Sequence, residues 1–301
     1  MLRPRSHDLV LLLLIFISIV TSASAQMRTI SLGLQTGITS TYTWDEGINV
    51  DPRYKARYDI KFAPIGVNYG IDYDGFGFLV SPGLFTVGQN YHVVNIVGGH
   101  EGTRKIDLTY LTAPVALKFH LIDLIFLKTS FVMGGSPSFL VNGKEEVSHN
   151  NSKLYFPAVV YPHLPDDYVI QYDGVLAPEQ KNLSMLEKKD LKDLQIFGFI
   201  GILSDWYLST AWKVSFDIRG NYSFMDNRSA AYLEKLKKYE TIYDIPGKRR
   251  DIILNFNIGV ARYIEYEKKD HQQKASRKSN TKKYSGPKYP WPGPRKSKPK
   301  S

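Results

Sequence analysis

The sequence feature that most constrains the fold is a strict alternation of apolar and polar residues over long segments. The stretch KVSFDIRGNYSF, residues 213–224, places Val214, Phe216 and Ile218 on one face and charged residues on the other. A period of two is that of a β-strand, whose successive side chains point to opposite faces of the sheet. The segment therefore predicts a strand with one apolar and one charged face. The pattern alone leaves open which face meets water.

Eight segments are predicted as strands, near residues 28–44, 57–73, 75–91, 106–119, 124–141, 193–203, 213–224 and 251–264. All but one show this alternation; the segment near 193–203 is apolar on both faces, and its limits are open. Several of them run 12–17 residues, whereas strands of soluble proteins are usually about five or six residues long. A tilted strand that crosses a bilayer needs about 9–11 residues. The lengths therefore favour strands that span a membrane.

Short and long links alternate between these segments. Short links are predicted at Asp74-Gly75, around His120 to Asp123 and at Ser204-Asp205; long links fall at about 45–56, 92–105, 142–192 and 225–250. Asp-Gly is typical of a two-residue hairpin turn. Even-stranded outer-membrane barrels show this asymmetry. The sequence thus predicts an all-β fold, an eight-stranded antiparallel up-and-down transmembrane β-barrel with short periplasmic turns and long outer loops. A soluble β-sandwich is the alternative.

In such a barrel the apolar faces contact lipid and the polar faces line the interior. The predicted interior charges are Asp72, Lys118, Lys128, Lys213, Asp217 and Arg219. An eight-stranded barrel is filled by its own side chains, so no wide pore is expected. Because an unpaired buried charge is costly, we expect Arg219 or Lys213 to pair with Asp72 or Asp217.

Aromatic residues cluster at both ends of the predicted strands, as they do at the two interfaces of membrane barrels. At the long-loop end the predicted belt comprises Tyr42, Trp44, Tyr58, Tyr91, Tyr110, Phe139, Tyr222 and Phe224. At the short-turn end it comprises Tyr73, Phe76, Phe119, Phe126, Trp206 and Tyr263.

Residues 1–25 have the pattern of a secretory signal peptide. Arg3 and Arg5 precede the apolar run 9–20, and a small-residue ASA site follows at 23–25. The run is shorter than the roughly 20 residues that a spanning helix needs. We therefore expect a barrel domain at 26–266, located in the outer membrane of a Gram-negative cell.

Residues 267–301 form a basic segment, with 12 Lys and Arg against two acids. That balance of +10 equals the net charge of the whole chain, so the remaining residues sum to zero. No nucleic-acid binding is therefore expected of the body. The segment is rich in Lys and Pro and poor in apolar residues, which predicts a disordered periplasmic tail. Its candidate partners are an anionic periplasmic protein or peptidoglycan, and a solubilising extension is the alternative.

Two segments resemble a known family. SPGLFTVGQNYHV (81–93) and YLTAPVALKFH (110–120) are similar to paired strands of the PorT-like outer-membrane β-barrel family of Bacteroidota. Tyr110, Leu111, Pro114 and Lys118 match its Tyr-Leu-x-x-Pro-x-x-x-Lys pattern, while Thr112 stands where an acidic residue is common. The resemblance covers about 26–266 and implies a small outer-membrane barrel of OmpX or OmpA type. It also implies an association with a type IX-like secretion assembly.

Little in the sequence points to catalysis. The chain has no cysteine, which excludes thiol nucleophiles and Cys-ligated metals. Its seven histidines show no recognisable spacing to a Ser or a carboxylate, and no phosphate-binding or calcium-binding loop is found. We therefore expect no enzyme, no cofactor and no metal. A lipid-modifying enzyme is the remote alternative, with His92 and His100 near Glu101 and Asp107.

The third long loop is the candidate contact surface. Residues 155–174 carry five aromatic residues between prolines: Tyr155, Phe156, Tyr161, Tyr168 and Tyr172. Exposed aromatic side chains are favoured contacts for partners and glycans. Two roles stay open, a structural or accessory envelope protein within an assembly with other envelope proteins, and a receptor or adhesin that uses loops three and four. Residues 182–194 and 229–240 are predicted to be short helices.

Overall fold

The computed structural model describes residues 29–265. The predicted signal peptide and the basic tail lie outside the described residues. The strands are β1 (Thr29–Asp45), β2 (Tyr54–Arg57), β3 (Ile60–Asp72), β4 (Phe76–Val80), β5 (Gly83–Val94), β6 (His100–Thr112), β7 (Val115–Asp123), β8 (Leu127–His149), β9 (Ser152–Leu154), β10 (Val169–Gln171), β11 (Gly174–Ala177), β12 (Gln180–Glu187), β13 (Leu194–Tyr207), β14 (Trp212–Ser223) and β15 (Arg249–Glu265).

Helices are few and short. The α-helices are α1 (Glu46–Val50) and α2 (Ala230–Lys237), and 3₁₀ turns span Ala158–His163 and Lys188–Asp190. Within residues 29–265, no helix is long and apolar enough to cross a membrane.

Backbone pairing closes the sheet into a barrel. Starting at Ser40 of β1, antiparallel pairs lead in turn to Leu254, Gly220, Ile200, Met133, Leu117, Phe78 and Ile71, and return to β1 at Ile30. This circuit visits eight strands, and it shifts the register by ten residues, from Ser40 to Ile30. Such a stagger requires strands that tilt by about 35–45° from the barrel axis. The predicted all-β, antiparallel barrel is confirmed.

The apolar faces point outward. On β14, Phe216 and Ile218 are 37% and 49% exposed, whereas Asp217 and Arg219 are 3% and 4% exposed. On β15, the outward residues from Ile252 to Val260 are all apolar. Arg250 and Arg262 lie on the same face at the two ends of this apolar run. A band of this length matches the roughly 9–11 residues that a tilted strand needs to cross a bilayer. The barrel wall therefore has the surface chemistry of a lipid-facing protein.

Two prolines divide strands that the sequence pattern predicted as continuous. The predicted strand near 75–91 becomes β4 and β5 on either side of Ser81-Pro82, and that near 106–119 becomes β6 and β7 on either side of Ala113-Pro114. Proline has no N–H to donate to a ladder. Instead, the Ser81 N–H donates to the Pro114 carbonyl at 3.0 Å. Beyond this bend β5 pairs with β6 and β2.

The predicted long loops form an ordered outer cap, which we define as residues 46–57, 89–107, 142–193 and 226–248. β8 extends through His149, and β5 and β6 leave a link of only 95–99. The larger apolar core lies at this end and includes Val93, Ile106, Val147, Leu154, Phe156, Tyr232 and Tyr243. A smaller cluster inside the barrel comprises Leu79, Ala116, Val132, Phe199 and Leu203. Most of the apolar packing therefore stabilises the cap.

Several local predictions need correction. Ser204-Asp205 lies inside β13, because the Asp205 carboxylate is satisfied by Lys213 and Ser215 in the interior, and the turn follows at 208–211. His120 to Asp123 belongs to β7. Of residues 182–194, the first six belong to β12, which pairs with β8, and Lys188–Asp190 form a single 3₁₀ turn, so the predicted α-helix is absent from this segment.

Other local predictions are confirmed. Gly75 adopts φ +81° in the predicted Asp-Gly turn, and the segment 229–240 contains α2. The aromatic belts hold in part. Three of the predicted belt residues are buried and so are not part of an interfacial belt: Tyr91, Tyr110 and Tyr263. Exposed members of the predicted belts include Trp44, Tyr58, Phe139, Phe224, Phe119 and Trp206.

Candidate functional site

The barrel interior holds the predicted charges. All six lie on inward faces and are at most 5% exposed: Asp72, Lys118, Lys128, Lys213, Asp217 and Arg219. Arg219 pairs with Asp217 at 2.6 Å, as the sequence suggested, and Lys118 pairs with Asp72 at 2.5 Å. Charges of opposite sign are therefore neutralised within the barrel, which offsets part of the cost of burying them.

Asp205 is the interior residue that sequence reasoning missed. Its carboxylate lies 2.8 Å from Lys213 Nζ and accepts a hydrogen bond of 2.5 Å from the Ser215 hydroxyl. Lys118 Nζ lies 3.8 Å from the same carboxylate. Extending the alternation of β13 by two residues would have placed Asp205 on the inner face with Leu203. However, an aspartate directly after a predicted strand also fits a turn, because Asp is common in turns.

The interior leaves little free space. A cavity of about 50 Å³ is lined by Gln35, Asn221, Asn255 and Asn257 among others, and another of about 20 Å³ lies near Lys118 and Asp205. A water molecule needs roughly 10–15 Å³ of such volume, so each cavity holds a few waters at most. The interior is packed rather than open.

A buried ionic network joins the cap to the barrel. Glu145 of β8 accepts hydrogen bonds from Arg104 Nε at 2.6 Å and from Arg249 Nη1 at 2.7 Å. Arg249 also contacts Asp45 at 2.7 Å, at the outer end of β1. Burial alone would raise the pKa of Glu145, but the two guanidiniums outweigh it and hold that pKa below its ordinary value. Burial raises the pKa of Asp244, which lies beside Arg104.

A second polar chain runs through the cap core. His149 Nδ1 lies 2.8 Å from the Asn150 carbonyl oxygen, which can only accept, so Nδ1 carries the proton. Nε2 then accepts from the Tyr243 hydroxyl at 2.5 Å. The Tyr168 hydroxyl lies 2.7 Å from that of Tyr243 and donates to it. Burial lowers the pKa of His149, which favours the neutral ring that this arrangement needs.

Of the five aromatic residues predicted to contact a partner, two are buried, one is partly buried and two are exposed. Phe156 and Tyr168 are buried: their rings pack 5.8 Å apart, and the Arg53 guanidinium lies 4.1 Å from the centre of the Phe156 ring. Tyr161 is partly buried against the same core. Tyr155 and Tyr172 are exposed. The expectation of partner contact is therefore corrected for Phe156 and Tyr168, whose rings hold the loop on the cap.

The exposed part of loop three also includes residues that sequence reasoning did not select. Val169 and Ile170 of β10 are exposed together with Tyr172. β10 pairs with β11 on one edge only, and β11 continues to β9. We call Tyr155, Val169, Ile170 and Tyr172 the loop-3 tip.

The histidines named as remote catalytic candidates do not assemble with the nearby acids. The rings of His92 and His100 pack edge to face, with their centroids 4.4 Å apart. Asp107 pairs with Lys61 at 2.9 Å, and Glu101 accepts from the Asn95 amide at 2.6 Å. In the described part of the chain, no group of three His, Asp or Glu residues is placed to hold a metal ion.

Comparison with known proteins finds likeness in structure only. No family model matches the sequence, and no curated protein matches it. The outer membrane protein OprG from Pseudomonas aeruginosa is similar over 79% of this chain and 97% of its own, at 10% identity and a TM-score of 0.39. Neisserial surface protein A is similar over 77% of this chain and 96% of its own, at 8% identity and a TM-score of 0.33. Ail, the attachment invasion locus protein of Yersinia pestis, is similar over 78% of this chain and 98% of its own, at 9% identity and a TM-score of 0.30.

Proposed function

We propose that this chain is an outer-membrane β-barrel protein with a structural or accessory role in the envelope. The observation that carries the proposal is the orientation of the closed wall. Ile218 and Phe216 face outward, while Asp217 and Arg219 pair inside. A soluble sandwich would place these residues the other way round, because its apolar face forms the core.

The packed interior supports an anchoring rather than a pore-forming role. Two cavities among the described interior residues are small, about 50 and 20 Å³, and the Lys213–Asp205 ion pair borders the smaller one. The outer cap shares one apolar core with the outer end of the barrel. We assign the protein no enzymatic role and no cofactor.

The loop-3 tip supports a second candidate, a receptor or adhesin that binds a partner or glycan. The tip is apolar and exposed, yet its base is rigid: Val175 and Ala177 of β11 are fully buried, and Lys153 pairs with Asp173 at 2.7 Å. Exposed side chains on an ordered segment lose little conformational entropy on binding. Tyr155 and Tyr172 are the contact residues that this candidate retains.

Two further hypotheses rest on sequence. An association with a type IX-like secretion assembly follows from the resemblance of 81–93 and 110–120 to the PorT-like family. Binding of an anionic periplasmic partner or peptidoglycan follows from the charge of 267–301.

Fractionation of cells tests the main proposal. We expect the full chain in the outer-membrane fraction, where extraction requires detergent. The folded barrel should migrate faster than the heated chain on a gel, because a closed hydrogen-bonded wall resists detergent until it is boiled. Recovery in the soluble periplasm, with the same migration before and after heating, would contradict the proposal.

A further inference from the structure

Backbone pairing closes the barrel through β3 and β4, but toward the outer end it leaves one seam beside β3 unpaired. The outer part of β3, residues 60–66, pairs with β1 along one edge. Its other edge faces β5, which pairs with β6 and β2 instead. Pairing of β3 with β4 ends at Tyr69 and Val80, and the Val67 N–H still donates to the Pro82 carbonyl at 2.9 Å. In the described residues, no strand pairing joins β3 to β5 above this point.

The seam opens at the level of the lipid-facing band. Phe62 pairs with Ile38 of β1, which pairs on its other side with Phe256 of the apolar band on β15. Phe62 is 82% exposed, against 42% for Phe256 on the intact wall. The difference arises because a missing neighbouring strand uncovers one side of β3. The seam therefore faces hydrocarbon rather than water.

The cavity of about 50 Å³ lies at this seam. Its lining includes Thr36 and Leu84, which lie on outward faces, together with Gln35, Asn255 and Asn257, which lie on inward faces. The cavity therefore lies between the interior amides and the edges of the wall at the seam. Ala63 of β3 and Gly83 of β5 line it from opposite sides of the seam.

Side chains, not a backbone ladder, close the seam toward the cap. Lys61 Nζ of β3 lies 2.9 Å from Asp107 of β6, and the Asn90 amide of β5 donates to Asp59 at 2.8 Å. At the other end two glycines bring the backbones together: a Cβ on Gly83 would lie 3.0 Å from the Gly66 Cα. The two backbones of the seam are therefore close together at Gly66 and Gly83. Toward the cap, the partly exposed Lys61–Asp107 ion pair joins the two sides. One ion pair and one amide hydrogen bond are fewer contacts than a backbone ladder would make along the same two edges.

We infer that the β3–β5 seam is a lateral portal that admits a single-chain amphiphile with one small oxygen-containing head from the lipid. Its hydroxyl or carboxyl would reach the amides of Gln35, Asn255 and Asn257, which both donate and accept hydrogen bonds. The alkyl chain stays outside, between Phe62 and Leu84. The cavity suits a head of a few heavy atoms, because its volume corresponds to a few waters.

A labelling experiment tests the portal with the full chain in outer-membrane vesicles. The chain has no cysteine, so a single introduced thiol is unique. Ala63→Cys places it on the seam and Leu254→Cys on the intact lipid-facing wall. We expect dodecanol to slow the reaction of Ala63→Cys with a lipid-partitioning maleimide and dodecane, which lacks a head, to leave it unchanged. Leu254→Cys should respond to neither.

Each other outcome overturns the portal. An Ala63→Cys thiol that does not react means that the seam is closed. An equal effect of dodecanol and dodecane, or an equal effect at both positions, means general partitioning into lipid. Should Ala63→Cys fail to show heat-modifiable migration, Leu84→Cys on the opposite rim carries the same test.

The ion pair supplies an independent test of the same seam. Adding Lys61→Gln to the Ala63→Cys variant should speed labelling by up to about fivefold, since it removes a partly exposed pair. Lys144→Gln is the matched control, because it breaks the Lys144–Glu146 pair of the cap at 3.0 Å. Equal rates in the two double variants would show that the Lys61 pair does not hold the seam.

Discussion

Lys118 and Asp72 form an ion pair of 2.5 Å although their strands are not neighbours. Lys118 of β7 is opposite Gly77 of β4, and Gly77 is opposite Asp72 of β3. A Cβ on Gly77 would lie 2.3 Å from the Asp72 carboxylate and 3.0 Å from Lys118 Cε. The two charges therefore meet across a strand because the residue between them has no side chain.

Gly77→Ala should break this contact. We expect a loss of roughly 3 kcal/mol in the free energy of unfolding, since a buried charge loses its partner. Gly220→Ala is the matched control: nothing lies within 4 Å of its Cβ position, and the change should be neutral or stabilising by about 0.5–1 kcal/mol. Denaturant titration in lipid vesicles measures both. Equal stability of the two variants would contradict this role of Gly77.

Asp205→Asn should be among the most damaging single changes in the barrel. The carboxylate faces Lys213 at 2.8 Å and Lys118 at 3.8 Å, and its loss leaves excess positive charge in a packed interior. A cost of about 3–5 kcal/mol is expected. Glu234→Gln, which removes an exposed pair with Lys237, should leave the unfolding midpoint unchanged. A stable Asp205→Asn barrel would mean that the interior charges are hydrated.

Neighbouring residues of loop three should behave in opposite ways. Phe156→Ala removes a buried ring that packs on Tyr168 and Arg53, and should destabilise the cap by about 3–5 kcal/mol. Tyr155→Ala changes an exposed ring and should stay within about 0.5 kcal/mol. Limited proteolysis of the loop reports both effects. If Tyr155→Ala opened the loop as much as Phe156→Ala, the assignment of the cap core would be wrong.

The cap should loosen as the pH falls below about 6.5, the ordinary pKa of His149. Burial lowers this pKa in the folded cap, so above 6.5 the ring is neutral in both states and costs nothing. Below that pH the unfolded segment binds a proton more readily than the folded one, and stability is lost. Glu145, whose pKa is lowered from 4.5, contributes in the same direction only at more acidic pH.

Proteolysis of loop three at pH 7.5 and at 5.5 measures this loss. Cleavage of the wild-type loop should accelerate in acid, whereas His149→Gln, which cannot take up the proton, should show the same rate at both pH values. An equal acceleration in His149→Gln would assign the effect to another group.

Local pattern was sufficient to predict the barrel but not its interruptions. Alternation over 213–224 identifies the strand, and segment lengths and link asymmetry identify the lipid-facing side. Pro82 and Pro114 lie within alternating segments, and the absence of a proline N–H is a signal for the bend that divides β4 from β5 and β6 from β7. Asp205 was missed because an aspartate after a strand also fits a turn.

The cap could not be predicted in the same way. Burial of Phe156 and Tyr168 depends on Arg53 and Tyr243, which are distant in sequence. No local period reports such a contact. The β3–β5 seam likewise depends on which strands pair, and a segment's own alternation says nothing about a missing neighbour.

A spin-label scan along β14 tests the central claim most directly. Single labels at Phe216, Ile218 and Gly220 should collide with oxygen dissolved in the lipid, and labels at Ser215 and Asn221 should be shielded from both oxygen and a water-soluble nickel complex. The account predicts this alternation with a period of two. Labels at 216, 218 and 220 that are buried, beside labels at 215 and 221 that meet the nickel complex freely, would contradict it.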